Sequence, residues 1–284
     1  MIDLHLHTIY SDGLDSVVET LKKAEEIGLE IISITDHDNV DAYIELKGIN
    51  PKDYFSGNIL TGAEFKTFYN GVAVEFLVYC FDIDKVNKLE YIRRRTQDRQ
   101  AGFLETHKEV GRRIGLKFNE DIQIDEKYRF AAERFIVEVI RHEENNPILE
   151  EYGVTNFKEF YRMAQTNPDS IFYIDETGLF PTPEEIVRDI KEAGGLVFLA
   201  HPYVYSFEDK VGTAIEIVEK YNLDGIECYY SKETEEDKKK LLKYCVDNFK
   251  YISGGSDSHG KAYKPIGCAN VPIDIVNDWI NLKN

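Results

Sequence analysis

The sequence predicts an α/β fold interrupted by a mostly helical insertion, and three observations carry that expectation. Short apolar, β-branched runs alternate with amphipathic stretches at both ends of the chain, the rhythm of strands joined by crossover helices. Between residues 84 and 180 that rhythm gives way to helical periodicity. Five of the seven histidines, His5, His7, His37, His201 and His259, stand at or just after the C-terminal ends of predicted strands. In parallel α/β folds that edge gathers side chains to one mouth. The expected core is therefore 1–83 with 181–284, and 84–180 is the expected insertion, acting as a cap over substrate.

Taken in order, residues 1–12 read as a strand whose end carries His5 and His7 two positions apart, hence on one face, with Asp12 in the loop beyond. Leu14, Val17, Val18, Leu21, Ala24 and Ile27 fall at helical spacing, and Gly28 suits the position just past a helix end. Residues 30–35 form a buried parallel strand that ends in Asp36-His37-Asp38-Asn39. A third strand spans 59–65 with Glu64 near its end, and a fourth spans 72–81. Asn70-Gly71 predicts a hairpin between them. Glu75 lies inside the apolar fourth strand, where a carboxylate is costly unless paired or metal-bound.

Within the insertion, periodic apolar residues predict one long helix over 84–114 and shorter ones over 135–140 and 157–163. Thr182 and Pro183 suit the N-cap and first turn of a helix running to Ala193. Strand 196–200 then delivers His201, helix 211–221 leads to strand 225–229 with Glu227, and helix 232–248 leads to strand 251–253. The last strand opens into Gly254-Gly255-Ser256-Asp257-Ser258-His259.

Composition narrows the function. With 43% hydrophobic and 12% aromatic residues the chain can build a sizeable core, which excludes disorder. A net charge of −18 argues against broad binding to long nucleic acid. It leaves room for a small anionic substrate if metals or arginines supply positive charge. No apolar run is long enough to span a membrane, and the N-terminus does not read as a signal peptide. The scattered Cys80, Cys228, Cys245 and Cys268 fit a reduced, cytoplasmic protein and offer no thiolate zinc site. Imidazoles and carboxylates at one sheet edge point instead to divalent ions of borderline or hard character.

Five segments together resemble the PHP family, named for polymerase and histidinol phosphatase domains. They are His5-Leu6-His7-Thr8 with Ser11-Asp12-Gly13, Thr35-Asp36-His37-Asp38, Gly62-Ala63-Glu64, Ala200-His201-Pro202 and Ser256-Asp257-Ser258-His259. The resemblance implies a distorted seven-stranded (β/α) barrel holding two or three divalent ions, Mn, Fe or Zn. By that likeness His5, His7, Glu64 and Asp257 hold one ion, and Asp12, His37 and His259 a second. Glu64 bridges to a third, shared with His201 and with Glu75, which stands where the family usually has a histidine. A carboxylate there favours harder ions.

The implied activity is metal-dependent phosphoester hydrolysis, in which water activated between ions attacks phosphorus. The expected substrate is a small phosphomonoester, namely a nucleotide such as 5′-AMP, a 3′,5′-bisphosphonucleoside or a short 5′-phosphorylated RNA. Asp257 belongs to the reacting centre, and Asp36, Asp38 and His201 are candidate proton donors; Asp36 better suits orienting a metal-bound histidine. Arg134 lies in a segment similar to one whose arginine faces substrate in the family, with Arg129 as the other candidate. Tyr203 and Tyr205 suit either stacking on a base or aromatic packing. The basic clusters Arg93–Arg95, Arg112 and Arg113 read as a solvated helix face or as phosphate capture. The competing expectations are a histidinol phosphatase, an amidohydrolase-type enzyme, and a non-catalytic metal- or nucleotide-binding module.

Overall fold

Seven strands lie side by side in sequence order: β1 (Ile2–Leu6), β2 (Ile31–Ile34), β3 (Asn58–Tyr69), β4 (Val72–Tyr79), β5 (Leu196–Leu199), β6 (Gly225–Tyr229) and β7 (Tyr251–Gly254). In this computed structural model the described residues are 1–93, 96–124, 131–154, 156, 159–160, 163–164, 167, 169–175, 177–260, 264–276 and 279. β4 is antiparallel to both neighbours, whereas the other adjacent pairs are parallel. The sheet curls almost shut. Beyond β7, Ser258 bridges Leu6, and the His7 N–H donates to the Ser258 carbonyl at 2.9 Å. Gly255 permits this closure, because a Cβ there would collide with the His5 backbone and Cβ. The expected distorted seven-stranded barrel is what the chain forms.

The β3–β4 hairpin turns at Asn70 (φ 49°) and Gly71 (φ 79°), the pair of positive φ values that a two-residue hairpin turn demands. β3 is longer than the sequence suggests. It runs five residues past Glu64, because pairing with β4 continues to Tyr69–Val72.

Helix α1 (Val17–Glu26) starts later than its periodicity implies. Ser16 caps it, with a reciprocal bond from Glu19, so the chain from Leu14 to Ser16 stays outside the helix. α2 (Asp41–Leu46) follows β2. The single helix expected over 84–114 is interrupted near its start: α3 (Ile83–Val86) ends with Asn87 as its C-cap, and α4 (Glu90–Arg93) and α5 (Thr96–Ile114) follow, with 94 and 95 outside the described residues. Asp82 caps α3, and Val86, Ile92 and Phe65 share the core cluster of the barrel. The chain divides into two compact units at this point, Met1–Arg93 with Leu179–Asn284, and Arg94–Gly178.

The second unit holds α5, α6 (Ala131–Val139) and α7 (Asn146–Glu151). Its buried aromatics Phe135 and Phe160 pack against His107, whose ring stacks on Phe135 at 5.6 Å, and Phe172 packs on Phe160. Four residues of the helix expected over 157–163 fall outside the described residues. Returning to the barrel, α8 (Pro183–Glu192) begins as expected at Thr182, which forms a second capping box with Glu185. α9 (Lys210–Tyr221) and α10 (Glu235–Asp247) follow β5 and β6.

Two apolar clusters explain which strand residues face the mouth. Ala63, Phe65, Val74, Phe76 and Val78 pack outward with helix residues such as Ile186, Ile217 and Leu241. Leu77, Tyr79 and Phe198 pack on the opposite face, where Trp279 meets both aromatic rings at 5.1–5.5 Å. Strand alternation therefore puts Glu64 and Glu75 on the inner face. Because β4 runs backwards, its fourth residue stands level with the ends of the parallel strands, which accounts for a ligand-type residue inside an apolar run.

Candidate metal centre

Glu64 is the hub of the mouth. It is fully buried, and four imidazoles converge on its two oxygens. Oε2 lies 3.2 Å from His5 Nε2, 3.3 Å from His7 Nε2 and 3.3 Å from His37 Nδ1, while Oε1 lies 2.9 Å from His201 Nε2. Asp257 Oδ1 approaches the same pair of rings, at 3.2 Å from His7 Nε2 and 3.6 Å from His5 Nε2. On the other side of His7, Asp12 Oδ2 lies 2.9 Å from His259 Nε2, and Asp12 Oδ1 lies 3.8 Å from His37 Nε2. Glu75 completes a third grouping, 3.3 Å from His201 Nε2 and 3.7 Å from His37 Nδ1. All nine side chains that the sequence nominated as ligands thus meet in one place. Seven of them fall into overlapping clusters of ligand atoms, His7-Asp12-His37-His259, His5-His7-Glu64 and His37-Glu64-Glu75, and His201 and Asp257 join through the contacts above.

The electrostatics fit bound cations. Burial alone lowers the pKa of a histidine, yet hydrogen bonds to Asp257 and Glu64 and the charge of Asp12 lift His7 to about 10. His201 is lifted to about 10 in the same way by Glu64 and Glu75. Burial would raise the carboxyl of Glu64, but His5, His37 and His201 hold it well below the usual range. The site therefore demands positive charge. Among the described residues Asp12 Oδ1 and His201 Nδ1 are buried without a hydrogen-bond partner, and the His5 and His7 Nε2 atoms face each other at 3.1 Å. Convergent nitrogen and oxygen lone pairs of this kind match divalent ions.

Surrounding groups aim these side chains. Glu227 accepts from His5 Nδ1 at 2.9 Å and from the His201 N–H at 2.6 Å. A carboxylate only accepts, so His5 carries a proton on Nδ1, and the ring turns Nε2 to the mouth as the atom that would meet an ion. Asp3, buried beneath, accepts from the Ser256 and Gly267 N–H groups at 2.9 and 2.7 Å and ties β1 to the closing segment. Tyr230 donates to Asp257 Oδ2 at 2.8 Å, and Lys264 reaches both that oxygen and the Tyr230 hydroxyl. Asp257 itself sits at φ 51°, a region that aspartate tolerates better than most residues.

Several expected roles change. Asp36 accepts the Thr8 N–H (2.7 Å), the Thr8 hydroxyl (2.6 Å) and the Ser11 hydroxyl (2.6 Å). Its oxygens are committed to holding the loop that carries Asp12, so it orients rather than donates a proton. Tyr203 is not a stacking surface: it is buried in the barrel core and its hydroxyl bonds the Cys228 carbonyl at 2.7 Å. Tyr205 is likewise buried, donating to the Ala200 carbonyl at 2.9 Å. His201 Nε2 faces Glu64 and Glu75 as a ligand atom, a place that does not suit it as a free proton donor. Arg134 belongs to the second unit, where its Nε donates to the Gln123 carbonyl at 3.1 Å and Glu138 lies 3.6 Å from the guanidinium. Arg129 falls outside the described residues. Tyr230 and Lys264 were missed: neither stands in a local motif, and only the fold brings them to Asp257.

A nearly closed seven-stranded barrel with histidines and carboxylates gathered at its mouth defines the class, an α/β barrel with a candidate metal centre. The PHP domain model matches residues 3–264, and the chain belongs to the PHP family. It is a metal-dependent phosphoesterase of PHP type, a hydrolase of phosphoric ester bonds.

The chain is 24% identical to a 5′-3′ exoribonuclease of Haemophilus influenzae over 90% of its length and 89% of the relative's. It is 23% identical to a phosphoribosyl 1,2-cyclic phosphate 1,2-diphosphodiesterase of Eggerthella lenta, covering 91% of this chain and 94% of that protein. Among solved structures, a protein of Bifidobacterium adolescentis assigned as a metal-dependent phosphoesterase superposes with a TM-score of 0.67 at 21% identity, over 99% and 95% of the two chains. A sulfate-bound amidohydrolase of Chromobacterium violaceum gives a TM-score of 0.65 at 20% identity, over 93% and 89%. These two likenesses show the fold. No helix among the described residues is long and apolar enough to cross a membrane.

Proposed function

We propose that this phosphoesterase hydrolyses a small phosphomonoester of a nucleoside: 5′-AMP, a 3′,5′-bisphosphonucleoside or a short 5′-phosphorylated RNA. The observation that carries the reading is the hub at Glu64, one carboxylate shared by four histidines from three strand ends. A shared hub of this kind suits ions held side by side rather than one isolated ion.

His5, His7, Glu64 and Asp257 would hold the first ion, and Asp12, His37 and His259 the second. Glu64, Glu75 and His201 would hold the third, with Mn²⁺, Fe²⁺ or Zn²⁺ as the candidates. Bound there, the ions supply Lewis-acid charge for the phosphoryl oxygens and lower the pKa of water for attack in line with the leaving group. The chain's own part is orientation. Glu227 fixes the His5 tautomer, Tyr230 and Lys264 hold the outer oxygen of Asp257, and Asp36 fixes the Asp12 loop. Below Glu64 the inner face is apolar, with Leu4, Leu77, Tyr79 and Phe198 packed together. Both curated relatives carry names that refer to phosphorylated ribose compounds, which supports a nucleotide over histidinol phosphate.

The test is a panel with Mn²⁺: 5′-AMP, adenosine 3′,5′-bisphosphate, a short 5′-phosphorylated RNA, histidinol phosphate and p-nitrophenyl phosphate. The nucleotides should give the highest kcat/KM. A preference for histidinol phosphate would replace the reading, and binding of nucleotide without turnover of any ester would favour a non-catalytic module.

A further inference from the structure

Lys66 and Phe68 continue the inner face of β3 beyond Glu64, and no function considered so far has used them. Leu60 packs with the barrel interior while Ala63, Phe65 and Tyr69 pack outward, so the even-numbered residues Glu64, Lys66 and Phe68 share one face. Their cross-strand partners are Leu77, Glu75 and Ala73 in that order. At the strand rise, Lys66 stands about 7 Å along β3 from the metal hub, on its open side. Its ammonium lies 5.6 Å from the Phe68 ring centroid and 4.7 Å from that of Phe180. The two rings are 6.0 Å apart, and all three side chains are partly exposed. Phe180 is held in place because the Thr67 hydroxyl donates to the neighbouring Pro181 carbonyl at 2.8 Å. Ala73, opposite Phe68, is small and exposed, so nothing bulky covers the ring from β4.

The order along this wall is therefore metal ligands, then a cation, then two phenyl rings. A phosphorylated nucleoside has a matching order when its reacting phosphate lies among the histidines. We infer that Lys66, Phe68 and Phe180 form a second substrate subsite, Lys66 taking a second phosphate and the rings a nucleobase. This rests on the nucleotide reading above and sharpens it, because it favours substrates with a phosphate beyond the reacting one. A lysine ammonium is a point charge suited to phosphate, and phenyl faces accept any base by stacking. The surrounding carboxylates make a cation at this spot valuable, since an anionic substrate otherwise meets Glu75 directly across the hairpin.

The decisive quantity is selectivity: the ratio of kcat/KM for adenosine 3′,5′-bisphosphate to that for p-nitrophenyl phosphate, measured with Mn²⁺. Lys66→Met should lower this ratio roughly ten- to hundred-fold, the worth of a charge-assisted hydrogen bond. Lys66→Arg should restore most of it, and Phe68→Ala should lower the ratio of 5′-AMP to p-nitrophenyl phosphate. A 5′-phosphorylated diadenylate run in parallel tells whether the second phosphate belongs to a bisphosphate or to the next linkage of an RNA. An unchanged ratio in Lys66→Met overturns the subsite. Calorimetric binding of adenosine 3′,5′-bisphosphate to the same variants decides the matter separately from turnover. A wild-type protein that hydrolyses no ester would refute the proposed function, whereas equal binding by wild type and Lys66→Met would refute the subsite.

Discussion

Buried histidines occur in both units, and their surroundings set them opposite ways. In the second unit His107 stacks on Phe135 and Phe160, and burial pushes its pKa down to about 4. At the barrel mouth burial acts on His7 and His201 in the same direction, but Glu64, Glu75, Asp12 and Asp257 outweigh it and lift both to about 10. A buried histidine among phenyl rings is a neutral packing element. One among carboxylates marks a place where negative charge exceeds what the protein neutralises, which is the condition for holding cations. Burial by itself does not separate the two cases; the neighbours do.

The strongest way to break this contrast is to neutralise the hub. Glu64→Gln removes a charge shared by four histidines, and both bound metal and turnover should fall, turnover by about a thousand-fold or more given the several kcal/mol that metal ions contribute. Elemental analysis beside kcat would check it, and a variant retaining full metal content and rate would show that Glu64 is not the centre.

The next effect is on stability, in the other unit. His107 has a folded-state pKa depressed below its ordinary 6.5, so the unfolded chain binds the extra proton between pH 6.5 and about 4. Its contribution is fully present above that window and is lost as pH falls through it, about 3 kcal/mol in all. His107→Leu should flatten the acid side of the denaturation-midpoint profile relative to wild type. Parallel profiles for the two proteins would mean that His107 is not buried as a neutral ring.

A smaller effect refines the barrel side. Glu227→Gln can still accept a hydrogen bond from His5 but loses the charge that strengthens it, so metal affinity should weaken about ten- to hundred-fold. Metal titration followed by activity would measure this. An unaltered affinity would reduce Glu227 to a strand-pairing role.

The sequence by itself determined what short-range chemistry can encode. His5 and His7 share a face because strands alternate, Asn70-Gly71 turns a hairpin, and Thr182-Pro183 starts a helix; each is settled within a few residues. It also nominated the nine residues that meet at the mouth, through their repeated position at strand ends and a family likeness. It failed where the deciding partner is distant or the local pattern is ambiguous. Periodicity alone reads 84–114 as one helix, while the structure interrupts it after α3, where Val86 joins the barrel core. Tyr203 looked available beside His201 until the fold spent its hydroxyl on Cys228.

His5 and Glu227 lie 222 positions apart, and only closure of the barrel sets the carboxylate on Nδ1 and thereby turns Nε2 to the mouth. Lys264 reaches Asp257 for the same reason. Chain connectivity supplies the types of ligand at the strand ends. Tertiary packing decides which proton, which oxygen and which cation each one meets, because those choices depend on through-space distance and burial that no local stretch contains.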